Sequence, residues 1–287
     1  MAEIIVGVDG SPNSLAALRW AHEHAFRRGD HVVALFAWGF VPPRHAGDGH
    51  TFDPGFGAGE AAAALAAAVE AAVGAGRSAG IERRVEFGVA SRALLGAAAA
   101  ADLLVVGARG VGGLRGLLLG SVSRQCLHHT TGPLAIVPGG AAEPPRAGRR
   151  RIVVGVDGSA GSDRALDWAI SEARSRGAPL EVVHVWEVAY PALGPAIGFA
   201  AEYGAVEDEA QVLLDKVVAG HDTSGLTAPV TRRLLPGPAA SALLGAARGA
   251  EALVVGSRGQ GGFAGLLLGS VTQQVAHHAS CPLVVVP

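Results

Sequence analysis

Val105-Val106-Gly107-Ala108-Arg109-Gly110, then nine residues, then Gly120-Ser121-Val122, is the stretch whose reading decides the fold. It returns as Val254-Val255-Gly256-Ser257-Arg258-Gly259, again with nine residues before Gly269-Ser270-Val271. In each copy an apolar run of strand type enters a glycine-rich loop, and the chain leaves through Gly-Ser into a helical stretch. That order makes an anion cradle. Glycine permits positive φ and close backbone approach, and the start of a helix offers N–H donors to phosphate.

Working outward, Ile5-Val6-Gly7-Val8-Asp9-Gly10-Ser11 returns as Val153-Val154-Gly155-Val156-Asp157-Gly158-Ser159, an offset of 148, whereas the glycine loops recur at 149. A chain of 287 residues holds two such copies at ordinary domain size, so a tandem of one fold explains the repeat better than a solenoid does. Gly139 to Arg151 carries three Gly, two adjacent Pro and four Arg, a linker composition. The expected domains are 1–139 and 151–287, with 140–150 between them.

Each copy alternates strands and helices. In the first, Ile4–Val8 is a continuous apolar run, Asp9 to Ser14 supplies turn and cap chemistry, and Leu15, Leu18, Ala21, His22 and Ala25 form a helical stripe ending near Gly29. Then come a strand over Val32–Trp38, a Gly/Pro-rich loop over Gly39–Gly59 and a helix over Glu60–Ala79. A strand over Val85–Val89, a helix over Ser91–Ala101 capped by Ser91, the strand Leu103–Val106, the helix Ser121–His129 and the strand Leu134–Val137 complete the copy. The second copy repeats this order, with its long helix over Glu202–Ala219. Strands apolar along their whole length, alternating with helices, predict an α/β fold of two doubly wound parallel sheets, five strands and about four helices in each copy. Ligands in such sheets bind at the C-terminal strand ends, where the strand order reverses. Asp9 and Gly107 lie at the ends of the first and fourth strands.

Composition excludes several partners. With 23 basic and 25 acidic residues the formal charge is −2, so no strong field draws nucleic acid or an anionic membrane. Lys216 is the only lysine, which removes lysine-based phosphate binding and Schiff-base chemistry from the first copy. Cys126 and Cys281 are not equivalent in the repeat and form no C-x-x-C motif, as expected of reduced thiols. The start Met1-Ala2-Glu3 runs into a strand without a signal-peptide pattern, and Ala61 to Ala75 is broken by Glu70 and Gly74, so no membrane span is expected and the expected location is the cytoplasm.

The glycine loop is neither a P-loop, since G-x-x-x-x-G-K-[ST] lacks its lysine in both copies, nor a dinucleotide fingerprint, since G-x-G-x-x-G is absent and the loop follows the fourth strand rather than the first. Gly107-x-x-Gly110, nine residues and Gly120-Ser121, preceded by V-G-V-D-G-S, resembles the ATP-binding pattern G-x2-G-x9-G-[S/T] of the universal stress protein family. Gly256, Gly259, Gly269 and Ser270 repeat the pattern in full. The resemblance covers essentially the whole chain and implies five parallel strands in the order 3-2-1-4-5 and one adenine-nucleotide site per domain.

What the resemblance implies for individual residues follows by position. Asp9 and Asp157, next to Gly7 and Gly155, would accept hydrogen bonds from the nucleoside. An ionised carboxylate only accepts, so it suits ribose hydroxyls or a divalent cation such as Mg2+ arriving with the nucleotide, and it repels bare phosphate. The competing reading of each is a turn-forming Asp before Gly. Ala37 and Val185, at the end of the second strand, match the position whose backbone reads the adenine edge. Gly107, Ala108, Arg109, Gly110, Val111, Gly112 and Gly113 would wrap ribose and phosphates in the first copy. Gly256, Ser257, Arg258, Gly259, Gln260, Gly261 and Gly262 would do so in the second. Gly120, Ser121 and Val122, with Gly269, Ser270 and Val271, would present hydroxyl and N–H donors to the distal phosphates. The copies differ where charge matters: Arg115 is replaced by Ala264 and Val111 by Gln260, while Arg109 and Arg258 agree.

Other motifs carry less. His128-His129 and His277-His278 are adjacent on a helix, point about 100° apart and cannot chelate one metal together, so no metal site is expected; favourable interaction with the helix C-terminus accounts for them. His22 and His24 fail the H-E-x-x-H spacing, and Trp20 and Trp168 read as core. There is no G-x-S-x-G elbow and no positioned general base beyond Asp9 and Asp157. The expectation is therefore an ATP-binding regulator of stress response or growth, with at most slow hydrolysis. An enzyme of the related ATP pyrophosphatase or nucleotidyl-transferase type is the alternative, and a scaffold acting through protein contacts alone is a third reading. In the resembling family the last strand commonly pairs at a dimer edge, which implies pairing of Leu134–Val137 and Leu283–Val286 within the chain, between chains as a homodimer, or both, along with a protein partner the sequence does not identify.

Overall fold

The computed structural model describes residues 1–39, 57–110, 119–139, 151–187, 199–260 and 268–287. Contacts divide the chain into two units, Met1–Ala142 and Glu143–Pro287. The expected linker 140–150 and the Gly39–Gly59 loop beyond Gly39, up to residue 56, lie outside the described residues.

In the first unit β1 (Glu3–Gly7), β2 (His31–Trp38), β3 (Ile81–Phe87), β4 (Leu103–Gly107) and β5 (Leu134–Val137) form a parallel sheet in the order β3-β2-β1-β4-β5. Helices α1 (Pro12–Arg28), α2 (Ala58–Val73), α3 (Ala75–Ser78), α4 (Ala90–Ala98) and α5 (Ser121–His129) alternate with the strands. Ile4, Ile5, Val6, Leu104, Val105 and Leu134 are almost fully buried, as continuous apolar strands require when helices cover both sheet faces. The order reverses at β1, which has β2 on one side and β4 on the other. A crevice between the C-terminal ends of β1 and β4 follows from that topology.

The second unit repeats the plan with β6 (Ile152–Val156), β7 (Leu180–Trp186), β8 (Val230–Pro236), β9 (Ala252–Gly256) and β10 (Leu283–Val286) in the order β8-β7-β6-β9-β10, all parallel. Its helices are α6 (Ala160–Arg176), α7 (Phe199–Ala219), α8 (Ala239–Ala246) and α9 (Ser270–His278). None of the helices among the described residues is long and apolar enough to cross a membrane.

Local chemistry explains the ends of the elements. Ser11 caps α1 by accepting from Ser14 N at 3.2 Å, and Ser159 caps α6 by accepting from Ser162 N at 3.2 Å. Both helices stop at a left-handed glycine, Gly29 at φ +71° and Gly177 at φ +60°. Three expectations are corrected. The helix expected over Glu60–Ala79 breaks at Gly74, whose φ of +83° is outside helical space, so α3 is a separate turn. β3 begins four residues before the expected Val85, because an edge strand tolerates the exposed Glu82 and Arg83 that mask its pattern. The N-cap of α4 is the extended Val89 rather than Ser91, whose hydroxyl instead donates to Gln125 Oε1 at 3.0 Å. Trp20 lies in the core and stacks on buried His24, with ring centroids 5.3 Å apart, whereas Trp168 is half-buried.

Candidate functional site

Each unit has a cavity at the reversal of strand order. In the first its volume is about 450 Å³, and its walls are the end of β1 (Gly7, Val8, Asp9), the end of β2 (Leu35, Ala37), α4 (Ala90, Leu94), the end of β4 and its loop (Val106, Gly107, Arg109, Gly110), and the entry to α5 (Leu119 to Ser123), with Ser14 from α1. The second measures about 420 Å³ and is lined by the matching residues, among them Gly155, Asp157, Val185, Gly256, Arg258, Gly259, Gly269, Ser270 and Val271. Both fall within the ~300–1,000 Å³ typical of small-molecule sites.

The glycines are needed for space rather than for unusual φ: Gly107, Gly110 and Gly120 and their counterparts are not among the positive-φ glycines. A Cβ on Gly107 would sit 2.7 Å from the carbonyl carbon of Asn13 and 2.8 Å from Ser14 N, so the end of β4 can lie on the first turn of α1 only as glycine. Gly256 meets Gly161 in the same way, at 2.7 Å. At Gly110 and Gly259 an added Cβ would overlap a carboxylate oxygen of Asp9 and Asp157 respectively. The space left by the missing side chain is where the aspartate packs against the loop.

A net of hydrogen bonds then fixes the described part of the loop. Ala108 N donates to Val137 O at 2.8 Å, and Gly120 N to Ala108 O at 2.8 Å. Ser123 Oγ donates to Gly107 O at 2.6 Å, and Ser11 Oγ to Arg109 O at 3.3 Å. In the second unit Ser257 N donates to Val286 O at 2.7 Å, Gly269 N to Ser257 O at 2.8 Å, and Thr272 Oγ1 to Gly256 O at 2.8 Å. The loop is thus closed at its strand end and at its helix end by the same bonds in both copies.

The helices α5 and α9 start at Gly120 and Gly269, which are the extended N-cap residues, so Ser121 and Ser270 are first-turn residues. Neither first turn carries an acidic residue, which leaves the positive end of each helix dipole directed at the cavity unopposed by charge of its own. Arg109 and Arg258 add a cation to each wall.

Asp9 and Asp157 are turn formers as well as cavity residues. Oδ1 of each accepts from the N–H two residues on, Ser11 and Ser159, at 3.0 Å. Asp157 Oδ2 also accepts from Gln260 N at 2.9 Å. Burial pushes the Asp157 carboxyl up, but the hydrogen bonds from Ser159 and Gln260 outweigh it and hold the group below the ordinary carboxylate value.

Of the residues singled out in the sequence, Gly7, Asp9, Ala37, Gly107, Arg109, Gly110, Gly120, Ser121 and Val122 line one cavity, and their counterparts line the other. Ala108, Ser257 and Gln260 are not among the lining residues; Ala108 and Ser257 hold the loop through backbone bonds, and Gln260, which is exposed, is bonded to Asp157. Val111, Gly112, Gly113, Arg115 and Gly116, with Gly261, Gly262 and Ala264, lie outside the described residues. The structure adds Leu94 and Leu243, which a Cβ on Gly7 or Gly155 would meet at 2.9 and 3.0 Å, and the hydroxyls of Ser123 and Thr272. The hydroxyl retained at both 123 and 272 is the signal that sequence comparison of the copies offers. His128 and His129 occupy the last turn of α5 with ring centroids 6.5 Å apart, and among the described residues no group of three or more His, Cys, Asp or Glu is placed to hold a metal ion.

Comparisons with known proteins agree with the duplicated architecture. The model of the universal stress protein family matches residues 1–138 and again 148–287. A universal stress protein of Mycolicibacterium smegmatis is 34% identical over 292 residues, covering 99% of this chain and 96% of its own length. One from Mycobacterium tuberculosis is 33% identical over 306 residues, covering 98% and 94%. Among solved structures, a universal stress protein from Archaeoglobus fulgidus aligns over 99% of this chain and 97% of its own with a TM-score of 0.61 at 20% identity, a likeness of fold. The chain belongs to the universal stress protein family and carries two of its domains in tandem.

Proposed function

We propose that each unit holds one adenine nucleotide, and that the protein is an ATP-binding regulator of stress response or growth acting in the cytoplasm. The observation that supports this most directly is the duplicated cradle, in which a glycine loop packed on an aspartate faces a helix start free of acidic residues in its first turn. Its donor set fits the ligand. Arg109 or Arg258 and the first turn of α5 or α9 would meet the phosphates, Asp9 or Asp157 the ribose hydroxyls, and the backbone at Ala37 or Val185 the adenine edge. Leu35 and Leu94, with Val183 and Leu243, give the base an apolar wall.

The nucleotide, with Mg2+ arriving on it, supplies phosphate charge for this cradle to read. The chain contributes orientation rather than chemistry. Asp9 and Asp157 are the only carboxylates among the described lining residues, and each is engaged in a turn. Among the described lining residues no group is therefore poised to activate water, and slow hydrolysis at most is the expectation. Differential affinity of the nucleotide for two arrangements of the loop would transmit occupancy to a partner. On this reading domains 1–139 and 151–287 are joined by 140–150, and the last strands pair at their edges, within the chain, between chains, or both.

Nucleotide content after gentle purification tests the proposal. Unhydrolysed ATP at up to two per chain is expected. A chain that turns ATP over rapidly is an enzyme, and one that neither carries nor binds adenine nucleotide is a scaffold; either result overturns the reading.

A further inference from the structure

The two cavities are walled differently at the ends of β2 and β7. Ala37 lines the first and Val185 the second, each one residue short of its strand's end. In the parallel register Ala37 stands opposite Glu86 of β3, and Val185 stands opposite Leu235 of β8. Residues so paired share one face of the sheet, as the next pair shows: Trp38 lies opposite Phe87, and their rings meet edge-on with centroids 5.0 Å apart. Glu86 therefore stands on the cavity side of the sheet, one strand outward from Ala37 at the ~4.8 Å spacing of neighbouring strands.

Glu86 is half-buried, and among the described residues no hydrogen bond or ion pair engages it. Arg84, two residues back on the same face, is paired with Glu82 at 2.9 Å. Alanine puts only a Cβ between the Glu86 carboxylate and the first cavity. In the second unit Val185 adds two methyl groups at that place, and Leu235 offers no polar atom behind them.

We propose that Glu86 sets the base selectivity of the first site, which takes guanine as well as adenine nucleotides, whereas the second, with Val185 and Leu235 at the matching positions, takes adenine nucleotides alone. The inference rests on the nucleotide reading above, in which the strand end at 37 or 185 meets the base. A carboxylate only accepts hydrogen bonds, through two oxygens side by side. Guanine presents two adjacent donors, N1–H and the 2-amino group, which match that pair of oxygens, and the bonds are charge-assisted. Adenine presents one donor, its 6-amino group, beside the acceptor N1, so it gains less from the same carboxylate. Against Val185 and Leu235 the donors of guanine would lose water and find no acceptor, the situation in which a site rejects a ligand most strongly.

The test titrates ATP and GTP calorimetrically into the full native chain. Two equivalents of ATP and one of GTP are expected, with GTP displacing half of the bound ATP. Glu86→Leu is expected to lower the affinity for GTP relative to ATP about tenfold or more, as for bonds to a charged acceptor, and Glu86→Gln, which keeps one acceptor oxygen, to lower it less. The converse change, Val185→Ala with Leu235→Glu, is expected to raise the GTP stoichiometry from one to two, and it decides the question where a Glu86 variant does not fold. GTP binding at both sites or at neither in the native chain, a GTP affinity that Glu86→Leu leaves untouched, or a converse variant that still takes one GTP overturns the proposal while leaving ATP binding intact. A native chain that binds no ATP overturns the nucleotide reading itself, and the proposal with it.

Discussion

The glycine–aspartate contact is the smallest unit on which the site depends. At Gly110 and Gly259 the space a side chain would take is filled by a carboxylate that is itself anchored by the amide two residues on. Gly259→Val must therefore either displace Asp157 or open the loop. Loss of nucleotide at that site alone, by at least about tenfold, is the expected outcome, with stoichiometry in titration falling from two to one. The pH dependence of Asp157 has a definite sign. Its folded pKa is below its unfolded value, so its contribution to stability is present above ~3.9, the ordinary aspartate value, and is lost as pH falls through the folded pKa. Asp157→Asn is expected to flatten the acid limb of an unfolding-versus-pH curve below about pH 4 while leaving the curve between pH 6 and 8 parallel to the parent. An acid limb identical to that of the parent would show that the hydrogen bonds do not favour the ionised form. At this scale sequence is informative for the glycines and the aspartates, because both copies retain them. Of the two reasons expected for the glycines, close approach holds and positive φ does not, and which segment comes close, the backbone of α1 or α6 or an aspartate carboxylate, depends on a crossing the sequence does not show.

Among the elements, α1 and α6 are specified almost entirely by local chemistry, a serine at one end and a left-handed glycine at the other. Ser159→Ala removes the cap of α6 and is expected to cost about 1 kcal/mol in urea unfolding, with Ser159→Asp restoring most of it. The far end of α6 is held by a buried cluster of three charges. Arg176, 3% exposed, pairs with Glu172, 2% exposed, on its own helix and with Glu251, 13% exposed, just before β9. Arg176→Met leaves two carboxylates buried together without their cation, and a loss of roughly 3–5 kcal/mol in chemical denaturation is expected. A change below about 1 kcal/mol would mean the pair contributes little beyond its own desolvation. Glu172 and Arg176 stand four apart on one helix, but Glu251 is 75 residues beyond Arg176, so its joining the pair was illegible in the chain. The same holds for β3, where edge charges conceal the first half of the strand, and for the break at Gly74, where an alanine-rich run gives no hint that one glycine leaves helical space. By contrast the apolar runs of β1, β4 and β5 were legible because strands covered on both faces admit no polar interruption.

For the molecule as a whole, duplication raises the question whether two equal sites or two differently tuned ones are carried. The shared frame argues for equal geometry: matching cavities of about 450 and 420 Å³, matching closure bonds and matching glycine contacts. The sequences differ in charge: Arg115 of the first copy is replaced by Ala264 in the second, which gives the first glycine loop one more guanidinium. A guanidinium that reaches a polyphosphate is worth on the order of 1–3 kcal/mol through a charge-assisted bond, and its effect grows with the number of phosphates. The first site is therefore expected to discriminate ATP from AMP more strongly than the second. Full chains carrying Gly259→Val or Gly110→Val, each with one site left, give the two ratios directly by titration. Arg115→Ala in the first of these chains should lower the ATP affinity by about tenfold or more and leave adenosine binding unchanged. Equal ratios in the two chains, or an Arg115→Ala effect that extends to adenosine, would show that the charge in the first loop does not read phosphate.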